Sequence, residues 1–256
     1  MGVLDLSSLY VDLLERTLTG AITDDPGFAP ALDPIIPLKY DEGVRSRGTD
    51  WPMRAATMIG LTRLRHLGKL VRQVVTDRVP GDLIETGVWR GGACIYMRAM
   101  LAVLGDHERR VWVADSFMGL PPPDPKYPAD ANYRFHAIKM LSVSLDEVKA
   151  NFAKFNMLDD RVEFLKGWFK DTLPAAPIEK LAILRLDGDL YESTVNTLDA
   201  LYAKVSPGGF VVVDDYNAVP PCKQAVTDFR DRYGIEEPIE SIDQHGVFWR
   251  VRADRT

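Results

Sequence analysis

Residues 82–92 read Asp-Leu-Ile-Glu-Thr-Gly-Val-Trp-Arg-Gly-Gly, and the fold of the chain depends on this stretch. Its apolar start predicts a buried strand over 82–85, and the apolar pattern of 93–104 predicts a helix. A strand, a glycine turn and a helix in this order direct backbone N–H groups at a ligand beyond the carboxyl end of the strand. The spacing G-x-x-x-G-G differs from the dinucleotide pattern G-x-G-x-x-G, so the turn alone is a weak indication of a ligand site.

The rest of the C-terminal part repeats this alternation. Apolar runs predict further strands at 110–114, 162–165, 181–186 and 210–213. Helical patterns lie between or after them, at 144–157, 191–204 and 221–233. Alternating strands and helices predict an α/β fold with a mostly parallel, doubly wound sheet. Residues 239–242 and 247–251 flank a short turn and predict a closing antiparallel pair of strands.

The N-terminal part has a different character. Residues 5–20 have the apolar spacing of an amphipathic helix, and 54–75 predict one broken helix or two. Between them, 23–41 are rich in proline and aspartate, which predicts a loop or mobile segment. The α/β body is expected to begin at Val79-Pro80-Gly81.

Bulk composition excludes several classes of protein. The chain has 256 residues and a net charge of −6 without a basic run, which argues against a nucleic-acid partner. Its two cysteines have no metal-site spacing and fit a reducing compartment. No signal peptide is recognised, and no apolar run approaches the roughly 20 residues of a membrane span. We therefore expect a cytoplasmic protein with no membrane partner.

Acidic residues stand where the predicted strands end: Glu85, Asp115, Asp187, Asp214 and Asp215. In a doubly wound sheet these ends share one edge, where ligands bind. An acid after the second strand, here Asp115, typically accepts hydrogen bonds from the ribose of an adenosine cofactor. The alternative is that Asp115 only caps the turn that begins at Ser116.

Asp187, Asp214 and Asp215 follow neighbouring strands and are expected to converge. Three carboxylates repel one another unless protons or a cation join them, and oxygen-only ligands suit Mg²⁺. Such an ion can lower the pKa of a substrate hydroxyl, and a carboxylate beside it can take the proton. Asp187 is the first candidate for this base and Asp189 the second. The alternative role, capping a helix N-terminus, suits Asp189 better than the strand-end acids.

Five motifs resemble the macrocin O-methyltransferase family: Glu-Thr-Gly-Val-Trp-Arg-Gly-Gly-Ala-Cys (85–94), Val-Ala-Asp-Ser-Phe (113–117), Gly-Trp-Phe-Lys-Asp-Thr-Leu-Pro (167–174), Leu-Asp-Gly-Asp-Leu-Tyr (186–191) and Val-Asp-Asp-Tyr (213–216). The resemblance covers nearly the whole chain. It implies an enzyme that depends on S-adenosylmethionine and Mg²⁺ and methylates sugar hydroxyls of glycosylated natural products, such as macrolides and aminocoumarins. It also implies a Rossmann-like class I methyltransferase fold with a seven-stranded, mostly parallel sheet and helices on both faces.

The resemblance further implies the roles of individual residues. Residues 1–78 would form N-terminal helices and a substrate lid, and 79–256 the cofactor-binding domain. Asp187, Asp214 and Asp215 would bind Mg²⁺, with Asp187 as the base. The cofactor would contact Met58, Glu85, Thr86, Gly87, Val88, Gly91, Asp115, Ser116, Gly167, Trp168 and Asp187. The acceptor would contact Trp51, Met58 and Tyr127. Family members form homo-oligomers, so a dimer or tetramer is expected.

Two other functions remain open from the residues. A nicotinamide-dependent oxidoreductase could use the same type of sheet, although hydride transfer does not need three metal-type aspartates. A protein that binds an adenosyl ligand without catalysis is the other alternative, although such a protein need not keep the three aspartates.

Overall fold

The structure is a computed structural model that describes residues 5–28 and 36–252. In chain order the elements are α1 (Leu6–Leu18), β1 (Gly27–Phe28), β2 (Pro37–Leu38), α2 (Glu42–Arg47), β3 (Trp51–Pro52), α3 (Gly60–Thr76), β4 (Asp82–Thr86), α4 (Gly92–Val103), β5 (Val111–Asp115), α5 (Leu145–Lys154), β6 (Val162–Lys166), α6 (Phe169–Thr172), β7 (Leu181–Leu186), α7 (Tyr191–Leu201), β8 (Val205–Val213), α8 (Pro220–Tyr233), β9 (Glu240–Ser241) and β10 (Val247–Arg250).

Seven of these strands form one sheet in the order β6-β5-β4-β7-β8-β10-β9. Strands β4 to β8 run parallel, and β10 is antiparallel to both of its neighbours. After β6 the chain returns to the other side of β4, so the winding reverses between β4 and β7. Sheets of this kind bind ligands beyond the carboxyl ends of the strands at this point. The predicted α/β class and the closing antiparallel pair are confirmed.

Helices cover both faces of the sheet because successive strand residues point to opposite sides. Leu83 and Ile183 lie in one apolar core with residues of α1, α3, α4 and α5. Ile84 and Leu184 lie in a second core with residues of α7 and α8. Burial on both sides explains why these strands have continuous apolar sequences rather than alternating ones. Within the described part of the chain, no helix is both long and apolar enough to cross a membrane.

Arg45 orders the segment that precedes α3. It is fully buried, and its guanidinium bonds the Asp50 carboxylate (Nη2–Oδ2 2.7 Å) and the carbonyl oxygens of Thr19 (2.8 Å) and Asp25 (2.7 Å). Next to it, β1 pairs antiparallel with β2 and β3. The loop predicted over 23–41 therefore contains two short strands, while its residues 29–35 lie outside the described residues.

Two predicted boundaries differ from the structure by more than three residues. The helix predicted from residue 54 begins at Gly60, because the Ala56 and Thr57 N–H groups donate to the carbonyl oxygen of Leu18 (3.0 and 3.2 Å). The strand predicted over 210–213 begins at Val205. Residues 206–209 form an irregularity within β8, where the register against β7 shifts. Both differences come from pairing with distant segments, which local patterns do not record.

Candidate active site

A cavity of about 810 Å³ lies where the winding of the sheet reverses, which is a typical size for a small-molecule site. Most of the residues predicted from sequence line it: Trp51, Met58, Glu85, Gly87, Val88, Asp115, Ser116, Gly167, Trp168, Asp187, Asp214 and Asp215. The second candidate base, Asp189, lines it as well. One pocket therefore joins the glycine turn after β4 to the acids after β5, β7 and β8.

Three of the predicted residues do not line this cavity. The Thr86 hydroxyl donates to the carbonyl oxygen of Arg185 (3.3 Å), inside the sheet. Gly91 is the left-handed residue that starts α4, and a β-carbon there would meet side chains of α5. Tyr127 lies behind the lining residue Asn196: its hydroxyl is 3.4 Å from Asn196 Oδ1.

The turn after β4 is shaped by close backbone contact. Gly87 has a φ of +90°, and a β-carbon at this position would collide with the carbonyl oxygen of Asp187. The next N–H, of Val88, donates to Asp115 Oδ2 (2.8 Å). Trp89 has a φ of +47°, which is unusual for a bulky residue, and its indole donates to the carbonyl oxygen of Met140 (2.8 Å). Strained backbone of this kind is concentrated at functional sites.

Asp115 has the turn-capping role that the sequence left open. Besides Val88 N–H, its carboxylate accepts a hydrogen bond from Phe117 N–H (2.7 Å). Burial raises the pKa of Asp115, although the N–H groups of Val88 and Phe117 oppose this shift. A carboxylate has about four acceptor positions, so these bonds leave capacity for a ligand hydroxyl. The capping and ribose-binding roles are therefore compatible.

Asp187, Asp214 and Asp215 converge as predicted. Each offers one carboxylate oxygen, and these three atoms lie within 4.8 Å of one another. Asp187 follows β7, whereas Asp214 and Asp215 follow β8. Asp189 lies beside them with a left-handed backbone (φ +57°), and its N–H donates to Asp215 Oδ2 (3.2 Å).

Burial and mutual repulsion raise the pKa values of Asp187, Asp189 and Asp215. The pKa of Asp215 is raised well above its usual range by burial and by Asp189 and Asp187. The pKa of Asp189 is raised to about 8, first by burial and then by Asp187. For Asp187, burial and Asp214 raise the pKa, while Arg185 opposes them. The cluster therefore favours either bound protons or a cation, and a divalent ion would reverse these shifts.

Sequence reasoning missed two buried arginines. Arg185 is 1% exposed, and its guanidinium donates to Asp187 Oδ2 (2.6 Å), to Asp214 Oδ1 and to Glu85 Oε1. Arg63, 8% exposed, pairs with the other oxygen of Asp214. A charge within an apolar strand, or on the apolar face of a helix, indicates a buried partner. Arg185 in Leu-Ala-Ile-Leu-Arg-Leu and Arg63 among the leucines of α3 gave that signal.

The donor set fits a hard divalent cation such as Mg²⁺, because it consists of carboxylate oxygens alone. Asp214 has both oxygens engaged by arginines, so the carboxylates of Asp187 and Asp215 have more acceptor capacity left for a cation. Glu85 is directed into the protein: its oxygens accept from Arg185 and from Cys94 Sγ (2.9 Å). Burial raises the pKa of Glu85 to about 7, although Arg185 opposes the shift. Glu85 therefore supports the floor of the site.

Comparisons with known proteins agree on one family. A family model described as macrocin-O-methyltransferase (TylF) matches residues 7–251. A Streptomyces olivaceus protein, 8-demethyl-8-(2,3-dimethoxy-alpha-L-rhamnosyl)-tetracenomycin-C 4'-O-methyltransferase, is 51% identical over 97% of this chain and 95% of its own length. Demethyldecarbamoylnovobiocin O-methyltransferase from Streptomyces niveus is 49% identical over 95% of this chain and 94% of its own length. The solved structure of the O-methyltransferase NovP has a TM-score of 0.91 at 49% identity, covering 96% of this chain and 99% of that one.

Proposed function

Because this chain belongs to the macrocin O-methyltransferase family, we propose that it transfers the methyl group of S-adenosylmethionine to a sugar hydroxyl of a glycosylated natural product. Family membership makes it an O-methyltransferase that acts on a hydroxyl, which excludes the nicotinamide-dependent alternative. The cofactor, the metal and the class of acceptor are the proposed parts.

The observation that carries the proposal is one cavity with two chemically different ends. At one end, the turn around Gly87 and the Asp115 carboxylate suit the amino-acid and ribose parts of S-adenosylmethionine. The cavity is also lined by the other proposed cofactor contacts: Met58, Glu85, Val88, Ser116, Gly167, Trp168 and Asp187. Thr86 and Gly91 would act from behind the wall, by holding the turn and the start of α4.

At the other end, Asp187, Asp214 and Asp215 would hold Mg²⁺. When bound, the ion would lower the pKa of the acceptor hydroxyl and orient its oxygen. S-adenosylmethionine, held by the turn around Gly87 and by Asp115, would supply the methyl group to the acceptor oxygen, with S-adenosylhomocysteine as the other product. Asp187 accepts the hydroxyl proton, with Asp189 as the second candidate. Holding both reactants at attack distance supplies much of the rate.

The class of acceptor rests on the names of relatives and on the wall of the cavity. One relative is named for a rhamnosyl-tetracenomycin substrate and another for demethyldecarbamoylnovobiocin. Trp51 and Met58 offer an aromatic and a flexible apolar surface at the wall. Tyr127 would reach the acceptor beside Asn196.

We place residues 1–78 in the lid part of the enzyme and 79–256 in the cofactor-binding part.

An oligomer is also proposed, and α1 supports it. Leu6, Leu9, Tyr10 and Leu13 recur at helical spacing on one side of α1 and are exposed. The other side of α1 packs in the core through Leu14 and Leu18. A large exposed apolar surface indicates an interaction site, and we assign it to a second copy of this chain.

The test is a methyl-transfer assay read by mass spectrometry. Purified protein, S-adenosylmethionine and a panel of acceptors are incubated with Mg²⁺ or with EDTA. The panel contains rhamnosylated tetracenomycins, demethyldecarbamoylnovobiocin and glycosylated macrolides. A gain of one methyl group that disappears with EDTA would support the whole proposal. Methylation that persists with EDTA would remove the metal from it, and failure to bind S-adenosylhomocysteine would remove the cofactor.

A further inference from the structure

Arg63 contacts three separate parts of the cavity wall. Its Nη1 pairs with Asp214 Oδ2, at the end of β8. Its Nη2 donates to the carbonyl oxygen of Gly48 (2.9 Å), at the end of α2. Its Nε lies 3.2 Å from Asp243 Oδ2, in the turn between β9 and β10, as an ion pair without hydrogen-bond alignment. These elements are far apart in the chain, and one guanidinium joins them.

Each contact point carries residues that line the cavity. Gly48 and the adjoining Thr49 and Trp51 are lining residues. Asp243 accepts hydrogen bonds from His245 N–H and Gly246 N–H (both 2.8 Å), and His245 lines the cavity. Arg63 therefore contacts the cavity wall near α2, the proposed metal ligand Asp214 and the β9–β10 turn at the same time.

The backbone around Gly48 permits this arrangement. Gly48 and Gly60 both have left-handed backbones. A β-carbon on Gly48 would collide with the carbonyl group of Ile59, and one on Gly60 would collide with the backbone of Gly48. This contact seats the end of α2 directly on the start of α3. Arg63 lies on the first turn of α3, so its guanidinium can reach the carbonyl oxygen of Gly48.

We propose that Arg63 is a positioning residue that holds the acceptor wall at 48–51 in register with the metal ligand Asp214. This inference rests on the proposed function of the same cavity and assigns a role to a residue outside the cofactor contacts. Burying a guanidinium is unfavourable unless hydrogen-bond and ion-pair partners compensate its charge. The partners of Arg63 all lie on the acceptor side of the cavity. Among the described residues, no hydrogen bond or ion pair joins Arg63 to Gly87 or Asp115 on the cofactor side of the cavity.

Arg65 provides a matched control on the same helix. It pairs with Asp12 and Glu15 through a half-exposed guanidinium, away from the cavity wall. Arg65→Gln removes an equivalent charge from α3 without removing any bond to Gly48, Asp214 or Asp243. A general effect of weakening α3 would therefore appear in both variants.

The experiment measures amide hydrogen exchange of the full chain with Mg²⁺ and S-adenosylhomocysteine. Arg63→Gln is expected to speed exchange over residues 44–52 about tenfold, since it removes a charged hydrogen bond there. Exchange over 85–92 and calorimetric affinity for S-adenosylhomocysteine are expected to stay within about twofold. Arg65→Gln is expected to leave 44–52 as in the wild type. With an acceptor found by the methyl-transfer assay, Arg63→Gln should raise KM more than it lowers kcat.

Two milder variants keep the test decisive if Arg63→Gln does not fold. Arg63→Lys keeps the charge but cannot contact all three partners. Its exchange rate over residues 44–52 is therefore expected to rise less than that of Arg63→Gln. Asp243→Asn weakens the ion pair and can still accept the backbone bonds from His245 and Gly246. Wild-type exchange at 44–52 in both variants would overturn the proposal. An equal increase over 85–92 would also overturn it, because that would indicate a general loss of stability.

These readouts separate this inference from the proposed function. Exchange and S-adenosylhomocysteine affinity require no turnover. If no acceptor is methylated by the wild type, the proposed function fails, while the exchange data still decide the role of Arg63.

Discussion

Gly87 faces the carbonyl oxygen of Asp187 so closely that a β-carbon on Gly87 would collide with it. Gly87 directly follows β4 and begins the turn proposed to bind the cofactor. Asp187 directly follows the neighbouring β7 and is a proposed metal ligand. Their backbones meet where the winding of the sheet reverses. The two halves of the cavity therefore share a boundary that only a glycine can form.

Gly87→Ala is expected to destabilise the protein and to abolish binding of S-adenosylhomocysteine. The matched control is Gly105→Ala, because Gly105 also has a positive φ but would place its β-carbon in open space. The left-handed backbone costs about 1–2 kcal/mol in both variants. Chemical denaturation should show a clearly larger loss for Gly87→Ala. Equal losses would mean that the backbone at 187 yields without cost.

Asp187→Asn is expected to lower kcat by roughly 10²–10⁴-fold, the usual contribution of a general base. Affinity for S-adenosylhomocysteine should change little, because the substitution leaves the proposed ribose contact Asp115 unchanged and keeps the backbone contact between residue 187 and Gly87. Asp189→Asn, measured in parallel, should have the smaller effect. If Asp189→Asn were the more damaging change, the base would be reassigned to Asp189.

Asp115→Asn is expected to weaken S-adenosylhomocysteine binding by roughly 10–100-fold, from the loss of charged hydrogen bonds worth about 1.5–3 kcal/mol. Because Asp115 also caps its own turn, affinity alone does not separate the two roles. The 2′-deoxy analogue does so when it is titrated by calorimetry. The wild type should bind this analogue more weakly than the parent compound, and Asp115→Asn should bind the two alike. If Asp115→Asn still bound the 2′-deoxy analogue more weakly than the parent compound by the wild-type factor, the ribose contact would be refuted.

His66 is expected to make the protein sensitive to mild acid. It packs against Phe248 (ring centroids 4.5 Å apart), and burial, with Lys69, lowers its pKa from 6.5 to about 4. The folded state therefore binds fewer protons than the unfolded chain between these values, and the free energy of unfolding falls as pH drops through this window. The free energy of unfolding, measured by urea denaturation from pH 7 to 4.5, should fall less steeply for His66→Gln than for the wild type. His107→Gln, at an exposed site, should follow the wild type.

Replacing Leu9 and Leu13 together by Glu is expected to shift the protein towards the monomer, because it places charges on the exposed apolar side of α1. Light scattering coupled to size-exclusion chromatography measures the mass. Leu158→Glu is the control, since Leu158 is comparably exposed elsewhere on the surface. An unchanged mass in the α1 variant would remove this helix from the interface.

Much of the glycine turn after β4 and its surroundings was predictable from sequence. The apolar run of β4 and the glycines after it define a strand and a turn locally, and a parallel sheet places Asp115 beside that turn. The boundaries of α3 and β8 were not predictable in this way. The N–H groups of Ala56 and Thr57 donate to the end of α1, and those of Arg54 and Ala55 donate to the Asp25 carboxylate. Residues 206–209 form a bulge against β7, and their backbone bonds Val251, just after β10.

The sequence by itself determined the class of the fold, the family, and the three aspartates that meet at the carboxyl ends of the strands. These follow from periodicity and from short contiguous motifs. The tertiary structure alone decided how the charges are balanced. Arg185 bonds Glu85 from a position 100 residues along the chain, and Arg63 pairs with Asp214 at a separation of 151 residues. Such pairs form only when distant strands and helices pack, because burial then requires each charge to find a partner.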